Sequence, residues 1–299
     1  MKTILSCVAA VLCLATGVSA RQAMPANYQA VLTTLGRTGD FKDGVLKVNL
    51  GRTDLKVSIN GRAVPTPLGF GGWIALTNDA VGESVMMGDL VLTEDQVNPV
   101  MSALLDNGLE VTAVHNHFFW ETPRIFYMHV HGHGLPSELA RKVKPAIDLT
   151  MKDVVSSPPP AASAGQAPAA APAIDGAALA KIIGTAGEQT GAVYKITIGR
   201  PDLNVREMGA VINARMGLNT WAAFTGTNDD AVVAGDVAML GKEVTPVLTA
   251  MRKAGLQIVS LHHHMIGTQP EIYFLHYWGQ GKAETLAGGV KAAVAILGK

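Results

Sequence analysis

Cysteine is almost missing from this 299-residue sequence: Cys7 and Cys13 are the only two, and both fall within the first fifteen residues. The body of the chain therefore holds no disulfide, no thiolate nucleophile and no cysteine-ligated metal. An excess of either charge is missing too. Lys plus Arg is 24 and Asp plus Glu is 24, with no basic run, so nucleic acid is not an expected partner. No phosphate loop, dinucleotide fingerprint or G-x-S-x-G elbow occurs, which removes the common nucleotide-binding and α/β-hydrolase readings. The apolar run Ile4 to Ala15 is too short for a spanning helix. Disorder is excluded as well, because 48% of the residues are hydrophobic and 16% charged, enough to bury a core.

That N-terminal run follows Lys2 and precedes the small-residue triplet Val18-Ser19-Ala20. Residues 1–20 read as a signal peptide cleaved after Ala20, which predicts a periplasmic or secreted protein. Leu12 directly before Cys13 makes a poor lipid-attachment site, so free release is expected.

Residues 156–174 are rich in Pro and Ala, uncharged apart from their flanks and without apolar periodicity, and read as a linker. The segments on either side, 27–155 and 175–299, are copies of each other. Gly51-Arg52-Thr53-Asp54-Leu55 returns as Gly199-Arg200-Pro201-Asp202-Leu203, Trp73 as Trp221, and Gly88-Asp89 as Gly235-Asp236. Between 108–134 and 255–281, nine of 27 positions are identical, and three of those nine are histidines. Each copy opens with an amphipathic helix, carried by Tyr28, Val31, Leu32 and Leu35 in the first and by Leu179, Ile182 and Ile183 after Asp175 in the second. Short β-type runs follow, then a helix that stops at Gly108, two more strands at 109–117 and 124–131, and a last helix. The start of the middle helix is left between a Thr93-x-x-Gln96 capping box and an Asn98-Pro99 start. The predicted class is α+β, two tandem helix/antiparallel-sheet domains that pack together.

All nine histidines lie in the last two strands of a copy or just beyond. The repeated unit is His115-x-His117 to His129 in the first copy and His262-x-His264 to His276 in the second. On a strand, i and i+2 share a face. A turn centred on Thr122 would set His115 opposite His129, and one centred on Gln269 would set His262 opposite His276. Each copy is thus expected to gather three imidazoles on one face, a donor set suited to a transition metal, with Zn favoured and Cu or Fe as alternatives. Accessory candidates are His131, Asp89, Asp236, Arg52 and Arg200, with Glu121 as a candidate base and Glu271 as a further carboxylate. The opposite face, with Val114, Phe118, Phe126, Met128 and Val130, is the expected core side. An isolated His-x-His is more often structural; the clustering of all nine and the retention of the triad in both copies favour metal. Arg52 and Arg200, each two residues before an Asp, read first as turn-fixing pairs rather than anion sites.

The run VTAVHNHFFWETPRIFYMHVHGH, with the preceding GRTDL and GDLVL, resembles the LppY/LpqO family of exported bacterial proteins of undefined activity. The resemblance covers both copies. It supports export and the repeat, and implies no reaction. The second copy departs from it, with His263 for Asn116 and Glu271 for Arg124. Three functions are then open: a metal-handling binding protein, a metal-dependent hydrolase or oxidoreductase, or a metal-free module for a small-molecule or cell-envelope ligand.

Overall fold

The computed structural model describes residues 23–150 and 174–299. The expected signal peptide and all but the last residue of the expected linker lie outside the described residues. The first copy runs α1 (Ala26–Leu35), β1 (Asp40–Lys42), β2 (Val45–Gly51), β3 (Val57–Ile59), β4 (Arg62–Val64), β5 (Gly71–Asn78), β6 (Ser84–Thr93), α2 (Val97–Asp106), β7 (Glu110–His115), β8 (Glu121–Thr122), β9 (Ile125–Gly134) and α3 (Pro136–Thr150). The second runs α4 (Gly176–Ile183), β10 (Gly187–Thr190), β11 (Val193–Gly199), β12 (Arg206–Glu207), β13 (Ala210–Val211), β14 (Asn219–Gly226), β15 (Ala231–Leu240), α5 (Gly241–Lys253), β16 (Gln257–His263), β17 (Ile272–Gly281) and α6 (Ala283–Val294).

Local chemistry accounts for the helix ends. Gly36 closes α1 with φ 63° and Gly184 closes α4 with φ 92°, left-handed conformations that a Cβ would resist. The Asp175 side chain accepts a hydrogen bond from Ala178 N at 3.0 Å and starts α4. At the middle helix the capping box prevails. Gln96 Oε1 accepts from Thr93 N at 3.1 Å, one 3₁₀ turn follows, and α2 begins at Val97.

Each copy forms one antiparallel six-stranded sheet, in the order β1-β2-β5-β6-β9-β7 and, identically, β10-β11-β14-β15-β17-β16. Alternation along the strands gives every sheet two working faces. One face meets the helices: Ile74, Leu76, Met86, Leu90, Met128 and Val130 pack with Val31, Val100, Leu139 and Val143 in the first copy. The other face meets the second sheet. Two apolar clusters there draw from both copies, one joining Val45, Met87 and Ala75 to Met216, Leu218 and Phe274, the other joining Phe70, Phe118 and Tyr127 to Val232, Ala234 and Trp278. The molecule is therefore layered helix, sheet, sheet, helix. Met128 and Val130 take the expected helix-side positions. Phe118 does not: it is buried between the copies, 5.7 Å from Trp278, while Val114 is exposed. The reason is that β7 ends at His115, so strand alternation no longer governs residue 118.

The interface repeats itself as a pseudo-two-fold. The Trp73 indole lies where a Cβ on Gly217 would come within 3.2 Å, and Trp221 lies 3.7 Å from the corresponding point on Gly69. Each tryptophan of one copy thus covers a glycine of the other. Polar contacts add to this. Thr112 Oγ1 donates to His264 O at 2.6 Å, Ser260 Oγ to Asn116 O at 2.9 Å, and Arg62 Nη1 to Asp230 at 2.9 Å.

Candidate metal centre

The six repeated histidines meet in one place. The expectation of a separate site in each copy is corrected by the face-to-face sheets, which put both histidine faces against each other. His115 stacks on His262 with centroids 3.7 Å apart, His117 lies 3.6 Å from His276, and His129 stacks on His264 at 3.6 Å. Donor atoms of His115, His129 and His262 all lie within 4.8 Å of one another, as do those of His115, His117 and His276, and of Asp236, His262 and His276.

The hairpin register differs from the expected one. His115 pairs with Tyr127 and Ala113 with His129; His262 pairs with Phe274 and Ser260 with His276. A bulge in β7 between Val111 and Ala113, and another in β16 between Ile258 and Ser260, accompanies this displacement. Because the displacement is by two residues, facial parity is kept and His115 and His129 still share a face. His117 and His264 lie beyond their strands, yet both rings turn inward and are buried.

The hydrogen bonds of the rings fix their chemistry. His115 Nδ1 lies 3.3 Å from Asn116 O, His129 Nδ1 3.2 Å from His263 O, His262 Nδ1 3.1 Å from His263 O and His276 Nδ1 3.2 Å from Gly235 O. A carbonyl oxygen only accepts, so in each ring Nδ1 carries the hydrogen and Nε2 keeps its lone pair. This is how protein matrices orient metal-ligating imidazoles. The Nε2 atoms of His115 and His129 then face each other at 3.0 Å, lone pair against lone pair. Both ring nitrogens of His117, Nε2 of His262 and His276, Nδ1 of His264 and Oδ1 of Asp89 are buried without a hydrogen-bond partner. Unpartnered buried polar atoms are rare, and here they converge.

Burial drives the electrostatics. It holds the His115 imidazole down at about 4 and keeps His117, His129, His262, His264 and His276 well below the usual range, with neighbouring histidines adding to the effect. The rings are therefore neutral at pH 7. Burial also raises the Asp236 carboxyl to about 7, and raises Asp89, where the charge of Asp236 adds. Asp89 Oδ1 lies 3.8 Å from His129 Nε2, and Asp236 Oδ2 lies 3.9 Å from His276 Nε2 and 4.0 Å from His264 Nε2.

Other candidates are placed elsewhere. His131 is buried beside the cluster, but its Nδ1 is engaged by Glu207 Oε1 at 3.1 Å. Arg52 and Arg200 are bound to Asp54 and Asp202, and each also donates to a carbonyl and to the capping residue of the next helix, Gln96 or Glu243. The turn-fixing reading holds for both. Glu271 is exposed and accepts from Tyr273 Oη. His133 is inside β9, and its Nε2 is 2.8 Å from Asp79. Glu207 and the pair Lys47 and Lys195 were missed by the sequence reading. Each lysine ammonium lies 4.3 Å over the indole of Trp73 or Trp221, and burial pushes both down to about 8. Their recurrence at the spacing of Trp73 and Trp221 was the available signal.

A cleft of about 580 Å³ opens onto the cluster at His115 and is lined by Asn116, Phe119, Trp120, Glu121 and Arg124. Burial raises the Glu121 carboxyl. Trp120 is exposed and held at φ 57°, whereas the second copy has Gly267 at this position with φ 78°. A bulky residue kept where its duplicate uses glycine marks a place where strain is tolerated for another reason. Trp120→Gly is expected to leave the melting temperature within about 2 °C of the parent, because released strain offsets the added chain entropy. A fall several times larger in a calorimetric scan would show that Trp120 serves the fold.

No curated protein matches the chain. Solved structures similar to it include EtuB from Clostridium kluyveri, at 11% identity and TM-score 0.20 with 87% of this chain and 89% of that chain covered. The trimeric bacterial microcompartment shell protein PduB is similar at 12% identity and TM-score 0.21, with 87% and 90% covered. Overlap that loose bears on neither fold nor function. The family comparison is of another kind, since one family model matches the chain twice, over residues 29–149 and 177–296, which are the two copies. The chain belongs to the family described as Domain of Unknown Function (DUF1259).

Proposed function

We propose that the protein binds a transition metal in the histidine cluster between its two copies, as an exported metal-handling protein, with zinc favoured over copper and iron. The observation that carries this reading is the approach of His115 Nε2 to His129 Nε2 at 3.0 Å, in rings whose Nδ1 atoms each face a backbone carbonyl oxygen. Two acceptors at that separation repel unless a cation lies with them. Neutral imidazole with carboxylate nearby is a donor set that zinc, copper and iron share. Export rests on the signal-like residues 1–20, and the LppY/LpqO assignment on the His-Asn-His to Pro-Arg run.

Protein purified without a His-tag is expected to retain metal by elemental analysis. His129→Ala should weaken metal affinity by at least about a hundredfold, beyond the range seen on losing a supporting contact. His133→Ala, bonded to Asp79 outside the cluster, should change it by less than about twofold. A metal-free protein that takes up none of the three ions, or equal effects from the two variants, would reject the reading.

The cleft supports a second reading, a metal-dependent hydrolase or oxidoreductase, because His115 lines the cleft and belongs to the cluster, with Glu121 as a nearby base. Azide added to cobalt-loaded protein separates the two. A shift of the visible spectrum shows an open coordination position and supports the enzyme; an unchanged spectrum shows protein donors filling every position.

A further inference from the structure

The cleft beside the cluster has a lining that the shared fold does not need. Duplication supplies the comparison, because the two copies keep the same three histidines and differ around the cleft. Phe119, Trp120, Glu121 and Arg124 stand where the second copy has Ile266, Gly267, Thr268 and Glu271. The first copy thus has two more aromatic rings there, and the charge at the last position is opposite. The loop that carries these residues is also held differently. Trp120 O accepts from Asn60 N at 3.3 Å, and Glu121 pairs with Ile59, which adds β8 as a third strand to β3 and β4. In the second copy β12 and β13 form a sheet of two strands. A wall fixed in advance loses less freedom when a ligand binds.

The chemistry of the lining selects the ligand. Phe119 is 41% and Trp120 57% exposed, with ring centroids 5.4 Å apart, so both rings stand open to solvent. The Arg124 guanidinium lies 5.5 Å from the centre of the Phe126 ring, and among the described residues no carboxylate forms an ion pair with it, Glu121 included. Rings alone would suit any apolar partner; the unpaired guanidinium selects an anion, and best a planar carboxylate. Glu121 lines the same cleft and accepts a hydroxyl hydrogen. The volume of about 580 Å³ lies within the range that holds small ligands. We infer that the cleft binds a hydroxylated aromatic carboxylate, its ring against Phe119 and Trp120, its carboxylate on Arg124 and its hydroxyl on Glu121. This goes beyond the metal reading, because none of these four residues belongs to the histidine cluster and the ligand binds with or without an ion. It also accounts for an exposed tryptophan kept at a positive φ, 57°, where the duplicate has glycine.

Calorimetric titration of chelator-stripped, full-length protein with 3- and 4-hydroxybenzoate is expected to show one saturable site per chain for the tighter of the two. The matching hydroxybenzyl alcohol, which lacks the carboxylate, should bind at least about tenfold more weakly. Arg124→Glu, the difference the second copy already carries, should weaken the acid by at least about tenfold. Glu121→Ala should remove the preference for the hydroxylated acid over benzoate. No saturable binding of either acid would overturn the inference, as would equal binding of acid and alcohol. Tighter binding of glucuronate than of either aromatic acid would overturn the aromatic class, and an unchanged affinity in Arg124→Glu would overturn the role of the guanidinium. The ligand series needs no variant, so a misfolded substitution does not decide the matter. Because the protein is stripped of metal, the outcome is separate from metal uptake, and failure of either reading leaves the other standing.

Discussion

Replacing Arg200 by alanine is expected to destabilise the protein by about 3–5 kcal/mol, the usual result of removing one partner from a buried ion pair. Arg200 and Glu243 are both almost fully buried, with Nη1 2.9 Å from Oε2 and Nη2 3.0 Å from Oε1. Loss of the guanidinium leaves a buried carboxylate facing two backbone N–H groups, those of Leu240 and Gly298, and no cation. The first copy supplies its own control. Arg52 occupies the equivalent position but meets the neutral Gln96, so Arg52→Ala leaves no orphaned charge at the helix start and should cost less. Urea unfolding of the two variants in parallel measures the difference. Equal losses would mean that the carboxylate of Glu243 finds another partner.

Acidifying metal-free protein from pH 7.5 to 5.5 should destabilise it strongly. In the unfolded chain a histidine takes its proton near pH 6.5. In the folded protein burial holds His115 near 4 and the other five cluster histidines well below 6.5. Between about pH 6.5 and 4 the unfolded state therefore binds more protons, and stability falls as the pH falls. The two carboxyls act in the opposite sense. Asp236, raised to about 7, and Asp89 take up protons in the folded state first and partly offset the loss. Six imidazoles are held neutral and only two carboxyls are held protonated, so the net effect of acidification is a loss of stability. Thermal melts in the presence of a chelator test this. A melting temperature that holds or rises on acidification would show that the cluster opens to water and that its rings are not held neutral.

Much of the architecture was legible because it depends on local rules. The helix starting near Tyr28 and ending at Gly36 and the Arg–Asp turns are settled within a few residues of chain, and the structure agrees with each; at the middle helix two local signals competed, and the structure takes the capping box at Thr93. Duplication was legible as well, from the spacing of Arg52 and Arg200 and of Trp73 and Trp221. The histidines were only half legible. Their sharing of a face survived a register displaced by two residues, because parity is unchanged by an even step. Their pooling across the copies was not readable, since sequence spacing carries nothing about which face of one sheet meets the other. The inward turn of His117 had the same obscurity. It depends on where β7 stops, and on His276 and Tyr127, whose rings lie 3.6 and 3.2 Å away.

The tryptophan-over-glycine contacts, made once in each direction, have a consequence for how such a chain evolves. They are the signature of a homodimer interface, in which one patch meets its own copy, here fused into a single polypeptide. A dimer of identical chains must change both halves of its interface with every mutation. A fused pair is free to change one. Trp120 where the second copy has Gly267, and Arg124 where it has Glu271, are one-sided differences of this kind between the copies, and Trp120 and Arg124 border the cleft. Both halves supply the cluster, while the cleft at His115 is lined by residues of the first copy. A relative carrying a single copy should have to associate in pairs to complete the same constellation, and would then carry two identical mouths.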